Sequence, residues 1–580
     1  MKTRGGRFDL WMLIIGGIFV LPFAHHPLTI DPVLPIRFLL WSALTFCLVL
    51  TVTLKNFRGT GHHDFTIVSR RIFFFAACFA ASAAVSFPRA VNLPEALFDL
   101  QKNLLFFLFL YTASIIIAFN EENAIHALTK GMVVSGTLLA LVGIGSLLWP
   151  HLFTFHGKSG IQAVMANKNL YSSALFLTTP FALFGAFRLS GAWRIYSLLS
   201  LLFVHFAILL TETRAVWLAV FLSAGIIFAA FLCFNRHHEK RRAVPGPSRT
   251  IPLLVLLSLA TMGPCLVTGK TDVSSVLSTE SLKIRFALWD VTMAMIRDRP
   301  FSGAGPGQWK IVSPRYGNTP TEHGQAGRKT VICYQRPHND YLGILSEYGS
   351  LGFGFYMLFL GSAVFYGIRI LSGAFHDETK IFCLCMLYGV MGYLVISFFS
   401  FPRERICHNV FLALILASLV SVYHRACPNR SRHRKIPITW IHGAMLLVLV
   451  LFMGTGIMRM RSEVHAKKAV AAIKAGSWDQ AVAECNLACS MVYNMDPVSN
   501  PIPWYRGMAY FSLGRINEAS VDFEKACSIH PWHAYSHNNL GVCYARMGML
   551  KKAEACFKTA GSLSAGSKKD ACSNREAVRE

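Results

Sequence analysis

Long apolar runs recur along most of the chain, and nothing else in the sequence restricts the fold so tightly. A helix that crosses a bilayer needs about 20 largely apolar residues. Runs of that kind fall near residues 9–25, 34–54, 71–88, 102–119, 130–150, 170–188, 192–210, 214–235, 251–269, 349–370, 380–400, 407–424 and 437–457. Lipid offers the backbone no hydrogen bonds, so each run must close its own as a helix. The fold class that follows is all-α, a polytopic membrane bundle of about 12–13 transmembrane helices. Composition agrees, because a chain of 580 residues that is 53% hydrophobic and 15% charged has too little polar surface to coat one soluble globule. The first run follows Lys2, Arg4 and Arg7 as a secretory signal would, yet it lacks a small-residue cleavage site and many runs follow it, so it reads as the first span.

The formal charge of +26 does not point to nucleic acid, because the cations sit in short clusters between apolar runs, such as residues 236–242 and 430–435. Clusters follow the even-numbered spans: Lys55, Arg58, Arg70 and Arg71, then Arg236, Lys240, Arg241, Arg242 and Arg249, then Arg425, Arg430, Arg432, Arg434 and Lys435. By the positive-inside rule those loops and the N-terminus are cytoplasmic. Residues 269–347, between the ninth and tenth spans, are then a large extracytoplasmic loop, as is everything after residue 458. This register requires spans six and seven to be separate helices around Gly191; one merged helix would invert everything downstream. Cysteines such as Cys47, Cys78, Cys233, Cys383 and Cys385 lie in apolar segments without a zinc or disulfide pattern and read as small core hydrophobes.

After residue 461 the composition becomes that of a soluble domain and a period emerges. Gly507, Tyr510, Gly514, Ala519, Phe523 and Ala526 recur as Gly541, Tyr544, Gly548, Ala553, Phe557 and Ala560, always at one offset of about 34 residues. Gly476, Ala481, Cys485 and Ala488 keep the internal spacing of a degenerate earlier copy. The pattern resembles the tetratricopeptide repeat, in which small residues let paired helices approach, and such stacks bind peptides or partner proteins. The organisation expected is a membrane domain at 1–460 with the loop 269–347 as its catalytic part, an extracytoplasmic repeat domain at 461–565, and a disordered tail at 566–580.

Within the loop, Ile284, Leu288, Val291 and Met295 recur at helical spacing, with Asp298, Arg299 and Pro300 ending the segment, so an amphipathic helix is expected. Gly303, Gly305 and Gly307 follow. A phosphate-cradling loop would continue into Gly-Lys-Ser/Thr, which is missing, so a tight structural turn is the reading. The loop closes on Arg336-Pro337-His338-Asn339-Asp340-Tyr341-Leu342 and Glu347-Tyr348-Gly349-Ser350-Leu351-Gly352.

That closing string, the upstream block of Arg285, Trp289, Asp298, Pro300, Gly303, Gly305 and Gly307, and the opening Thr211-Glu212-Thr213-Arg214-Ala215 of the eighth span resemble the O-antigen ligase/polymerase superfamily, across about residues 10–425. Thr213 stands where that family often has serine, which keeps a hydroxyl. The resemblance implies a membrane glycosyltransferase of the bacterial inner membrane. It would move glycan from an undecaprenyl-diphosphate-linked donor to an acceptor hydroxyl on the outer face, without metal or other cofactor and with inversion at the anomeric carbon. The acceptor stays open between lipid A core, another lipid-linked glycan and a protein side chain. Carried over position by position, the essential residues are Arg214, Arg285 and His338.

Elementary chemistry supports that trio. A departing diphosphate concentrates negative charge beside lipid, and arginine holds phosphate oxygens with a planar, permanently charged fork. His338 either takes the acceptor's proton or orients the donor. Asp340 and Glu347 either set its tautomer or act as the base. Arg336, Asn339, Asp340, Tyr341 and Trp289 are candidates for substrate binding. So are Arg403 and Arg405, outward cations that flank Glu404 in a short turn. Asn167, Lys168 and Asn169 either line the donor site or cap a helix. Taken singly, Arg214 is an ordinary helix-end arginine and His338 an ordinary loop histidine; their joint occurrence in order on one face singles them out. Membrane lipids, a glycan acceptor and a protein docked on the repeats complete the partners. Two other classes compete, a flippase or exporter and a membrane-anchored repeat scaffold. The gathering of ionisable residues toward the outer surface, away from the membrane centre, speaks against transport.

Overall fold

A computed structural model describes residues 7–57, 70–149, 161, 165, 167–236, 280–317, 322–323, 329–330, 334–426 and 438–563. The expected ninth span at 251–269 and the tail at 566–580 lie outside the described residues.

The membrane part is built from α1 (Phe8–Phe23), α2 (Leu34–Phe57), α3 (Arg71–Ser86), α4 (Leu93–Phe119), α5 (Glu121–Leu148), α6 (Lys168–Arg188), α7 (Ala192–Leu210) and α8 (Arg214–Arg236). The loop contributes α9 (Glu280–Asp298), and the bundle is completed by α10 (Asp340–Ser372), α11 (Asp377–Phe399), α12 (Ile406–Ala426) and α13 (Ile438–Lys474). Among the described residues 10 helices are long and apolar enough to cross a membrane, and α1 and the first part of α8 are shorter apolar helices. The only strands among them are the two-residue pair Glu322–His323 and Lys329–Thr330. Spans six and seven are separate helices, broken at Gly191, whose φ of 58° ends one and opens the next.

Burial orders the bundle. The most apolar windows of α6 and α12 are each 94% buried, against 39% for α7 and 33% for α13, so the first two form the centre and the last two its rim. Hydroxyls inside the spans return their hydrogen bonds to the preceding turn, as Ser42 does to the Phe38 carbonyl at 2.8 Å and Thr45 to that of Trp41 at 2.7 Å. This satisfies them without water. Cys383 and Cys385 are buried as small apolar groups, but Cys47 is exposed on the outside of the bundle.

The tail is a stack of helix pairs: the end of α13 with α14 (Trp478–Ala488), α15 (Ile502–Ser512) with α16 (Ile516–Ile529), and α17 (Ala534–Arg546) with α18 (Leu550–Leu563). Gly507 and Gly541 do the same work in successive units, since a β-carbon on either would press to 2.8 Å or 2.6 Å from the ring of Phe523 or Phe557. Ala481, Cys485 and Ala488 are buried like their later counterparts, so the degenerate copy packs as a unit. Helix α13 passes through residue 460 without a break, so the membrane part and the first repeat share one rigid helix of about 55 Å.

Candidate active site

The site stands at one end of the bundle, where four helix starts meet the loop. Asn167 opens α6, its side chain accepting from the backbone N–H groups of Asn169 at 2.8 Å and Leu170 at 3.4 Å, so the helix-cap alternative describes it. Asn169 accepts from the Thr213 hydroxyl at 3.3 Å, which ties that cap to the turn preceding α8. In this turn Glu212 has a φ of 52°, an uncommon conformation for a side chain of its size. Arg214 follows on the first turn of α8, exposed. His408, on the first turn of α12, bonds Ser173 at 2.8 Å and the Leu170 carbonyl at 2.9 Å, fixing α12 to the same end.

Helix α9 lies across this end as its periodicity requires, with Ile284, Leu288, Val291 and Met295 all buried. Its first turns bring Arg285 to His338. The imidazole is largely shielded, edge-on to Phe401 at 5.0 Å between ring centres and to Tyr334 at 6.2 Å. Burial first, and then the charge of Arg285, push it down to about 4. His338 is therefore neutral at physiological pH. Its φ of 55° is, with that of Glu212, one of only three positive values at non-glycine positions among the described residues. Strain of this kind concentrates where a fold must aim a side chain. Neither Asp340 nor Glu347 hydrogen-bonds the imidazole; each carboxylate is engaged elsewhere, as described next.

The residues around this pair have structural partners. The Trp289 indole N–H donates to the Pro337 carbonyl at 3.0 Å, the Asn339 side chain caps α10 by accepting from the Leu342 N–H at 3.1 Å, and the Tyr341 hydroxyl donates to the Leu394 carbonyl at 2.7 Å. Asp340 accepts from the Arg403 N–H at 3.0 Å. Arg336 pairs with Glu347 at 3.1 Å and Glu404 at 2.8 Å; Arg403 lies 3.5 Å from Glu347, 3.3 Å from Glu404 and 3.7 Å from Asp99. Lys102 joins the same cluster, at 2.6 Å from Glu404 and 3.1 Å from Asp99. Burial opposes charge on Arg336, but Glu404 and Glu347 outweigh it and hold its proton more tightly than usual. In the same way Arg336 and Lys102 outweigh burial at Glu404 and bring its carboxyl down to about 2. Arg405 pairs with Asp31 at 3.1 Å. Arg403 is thus buried and Arg336 and Arg405 are partly so, each matched by a carboxylate; for Arg336 and Arg403 this is because loop, α4, α10 and the turn before α12 converge there.

The glycine block is a clamp. The N–H groups of Ala304 and Gly305 donate to the carbonyls of Ser346 at 2.9 Å and Glu347 at 3.0 Å, and that of Ser350 to Pro300 at 2.8 Å. Gly349 sits at the kink of α10 with φ 68°, where a β-carbon would come within 2.0 Å of the Phe301 carbonyl oxygen. This turn fixes where Glu347 points, the structural use expected of it. Asp99, Lys102 and Asn103 escaped the sequence reading. Their signal was a pair of opposite charges at i, i+3 on entry to an apolar run. Among the described residues no group of three His, Cys, Asp or Glu side chains is arranged to hold a metal ion.

A polytopic helical bundle with a buried ionic cluster and an Arg–His pair at one end, extended by a helical repeat stack, is the class that fold and site define. Residues 196–357, which contain Arg214, Arg285 and His338, match the family model of the O-antigen ligase, so the chain carries a domain of the membrane glycan ligase and polymerase type. Residues 507–548 match a TPR repeat model and 534–565 a tetratricopeptide repeat model. No curated protein matches the chain.

Proposed function

We propose that this protein transfers glycan from an undecaprenyl-diphosphate-linked donor to a sugar hydroxyl at the outer face of the bacterial inner membrane, with the N-terminus cytoplasmic and the repeat stack outside. The observation that carries this reading is that α9, tied through the Trp289 indole to the Pro337 carbonyl at 3.0 Å, sets the charge of Arg285 near a half-buried, neutral His338 inside the segment matched to the O-antigen ligase family.

In the reaction, the acceptor oxygen attacks the anomeric carbon, the bond from that carbon to the phosphate oxygen breaks, and the electron pair leaves on the diphosphate. Arg214 and Arg285 stabilise that departing charge, a role for which guanidinium forks on phosphate are suited without a metal. His338, kept unprotonated, receives the proton of the acceptor hydroxyl. Beside Arg285 stand Phe286, Trp289 and Phe398, with ring centres 5.5 Å apart in each successive pair; Phe286 is 55% and Phe398 44% exposed. They offer an apolar flank for the first isoprene units while the diphosphate meets the arginines. Arg336, Asn339, Asp340, Tyr341, Trp289, Arg403 and Arg405 shape the site from behind, through the bonds described above. The domain division is proposed as expected, with the repeat domain joined through α13.

The test is transfer by purified protein from a lipid-diphosphate-linked oligosaccharide, offered in separate reactions lipid A core and a second lipid-linked glycan, with EDTA throughout. Wild type turns over with one of these acceptors, and Arg214→Ala, Arg285→Ala and His338→Ala lose at least about a hundredfold. Full turnover in all three variants overturns the mechanism; loss of wild-type turnover on chelation overturns its metal independence.

A further inference from the structure

The repeat stack does not hang from the membrane domain on a tether. Helix α13 enters it unbroken, and Arg459 on that helix donates to Glu95 at 2.8 Å and to the Val492 carbonyl at 2.8 Å. Lys310, from the loop, reaches the other oxygen of Glu95 at 2.8 Å. One buried carboxylate on α4 therefore fastens loop and tail together.

The more telling contact is the connector at residues 489–501, between α14 and α15. It is longer than the stack's other connectors at 475–477, 513–515, 530–533 and 547–549, and it folds back on itself through paired bridges, Ser490 with Tyr493 and Met495 with Pro501. Its tip is inserted into the loop. Met495 is fully buried in the same apolar cluster as Ile284, Leu288, Met295 and Trp309, the cluster on which α9 rests. Asn494 accepts from Asn92 at 3.0 Å. Ser499 donates its hydroxyl to the Gln335 side-chain oxygen at 3.0 Å, and Gln335 is next to Tyr334 and three positions before His338. Ser499 is 4% exposed with a φ of 73°, and Asp496 fixes that turn by accepting from the N–H groups of Val498 at 2.9 Å and Asn500 at 2.8 Å. Asn500 in turn meets His533, at the start of α17, at 3.2 Å.

We propose that this connector is a positioning element of the active site: Ser499 holds the Tyr334–His338 segment through Gln335, and Met495 supports α9 beneath Arg285. The repeat domain is then an obligatory part of the catalytic unit as well as a surface for partners. The inference rests on the function proposed above.

The φ of Ser499 makes a clean test available. Glycine accepts that conformation and removes the hydroxyl; asparagine tolerates it and restores a donor. Ser499→Gly is expected to lower kcat about fivefold, the worth of one hydrogen bond, with KM for the lipid donor within about twofold of wild type. Ser499→Asn is expected to restore kcat to within about twofold. Separately, the double variant Gln335→Cys/Ser499→Cys, treated in membranes with a short bis-maleimide, is expected to give a 335–499 cross-link by mass spectrometry, since a glutamine's length separates the two β-carbons beyond disulfide reach. Wild-type transfer with kcat unchanged in Ser499→Gly, or no cross-link, overturns this inference alone. Absence of wild-type transfer overturns the reaction and this inference with it.

Discussion

Arg285 lies near enough to His338 for its charge to act on the imidazole, adding to burial in keeping it unprotonated down to about pH 4. The arrangement lets one cation serve two ends, holding the donor's phosphate and keeping its neighbour a base. It predicts a kcat profile that is flat from about pH 8 to 5, with an acid limb emerging only toward 4, in contrast to the limb near 6.5 of an ordinary histidine. Arg285→Gln removes the second cause and leaves the first, so the limb of its residual activity moves upward. A wild-type limb centred near 6.5 would count against His338 as the base.

The ionic cluster behind the pair separates architecture from chemistry. Replacing Glu404 by Gln leaves Arg336 and Lys102 buried without the carboxylate that each meets most closely. Breaking a buried pair from one side costs about 3–5 kcal/mol. Arg214 is exposed, and its removal falls within about 0.5 kcal/mol. Thermal unfolding in detergent is therefore expected to show Glu404→Gln markedly destabilised and Arg214→Ala close to wild type, while both lose transfer. Equal melting temperatures would mean that the cluster does not hold the end of the bundle together.

Much of this was legible in the sequence where the signal is local. Hydropathy marked the spans, the spacing of Ile284, Leu288, Val291 and Met295 gave α9 and its buried face, and the common offset of Gly507 and Gly541 gave the stack. What remained hidden depends on partners far apart in the chain. Glu404 stands beside Arg403 in the sequence, yet nothing there announces that Arg336, Lys102 and Asp99 will close on the same cluster, so Arg336 and Arg403 read as candidates for substrate binding. The Ser499 to Gln335 contact arises only once α13 sets the angle of the stack over the loop. Asn339 and Tyr341 lie in a motif that suggests substrate, yet one caps a helix and the other bonds a carbonyl; a motif marks a place without apportioning its labour.

Gly349 offers a test of the clamp. Its φ of 68° and ψ of −175° suit glycine alone, and a β-carbon would meet backbone, which cannot swing aside. Gly349→Ala is expected to cost about 3 kcal/mol or more and to abolish transfer by displacing Glu347. Gly354, in the same helix, has nothing within 4 Å of an added β-carbon. Gly354→Ala is expected to be neutral or to stabilise by about 0.5–1 kcal/mol. Comparable melting temperatures for the two variants would remove the clamp from the account.

The repeat stack should be sensitive to acid, and the sign follows from its histidines. His530 and His533 lie in the connector between α16 and α17, buried to 3% and 6% exposure. Burial, and then the charge of Lys310, bring His530 down to about 3; burial, His530 and His537 bring His533 well below its ordinary range. As pH falls below 6.5 the unfolded chain takes up protons at both positions and the folded chain does not, so the folded state loses ground. Stability is fully present above about pH 6.5 and declines below it, by about 2 kcal/mol per histidine at pH 5 if each stays neutral there. The melting temperature should therefore fall between pH 7.5 and 5. That fall should shrink in His530→Gln, which lacks one of the two proton acceptors. Because α13 and residues 489–501 join the stack to the catalytic loop, the temperature at which transfer is lost should fall together with the melting temperature, while the profile measured well below that temperature keeps only the acid limb set by His338. Unfolding of the stack in acid with undiminished transfer would show that the loop holds its shape without it.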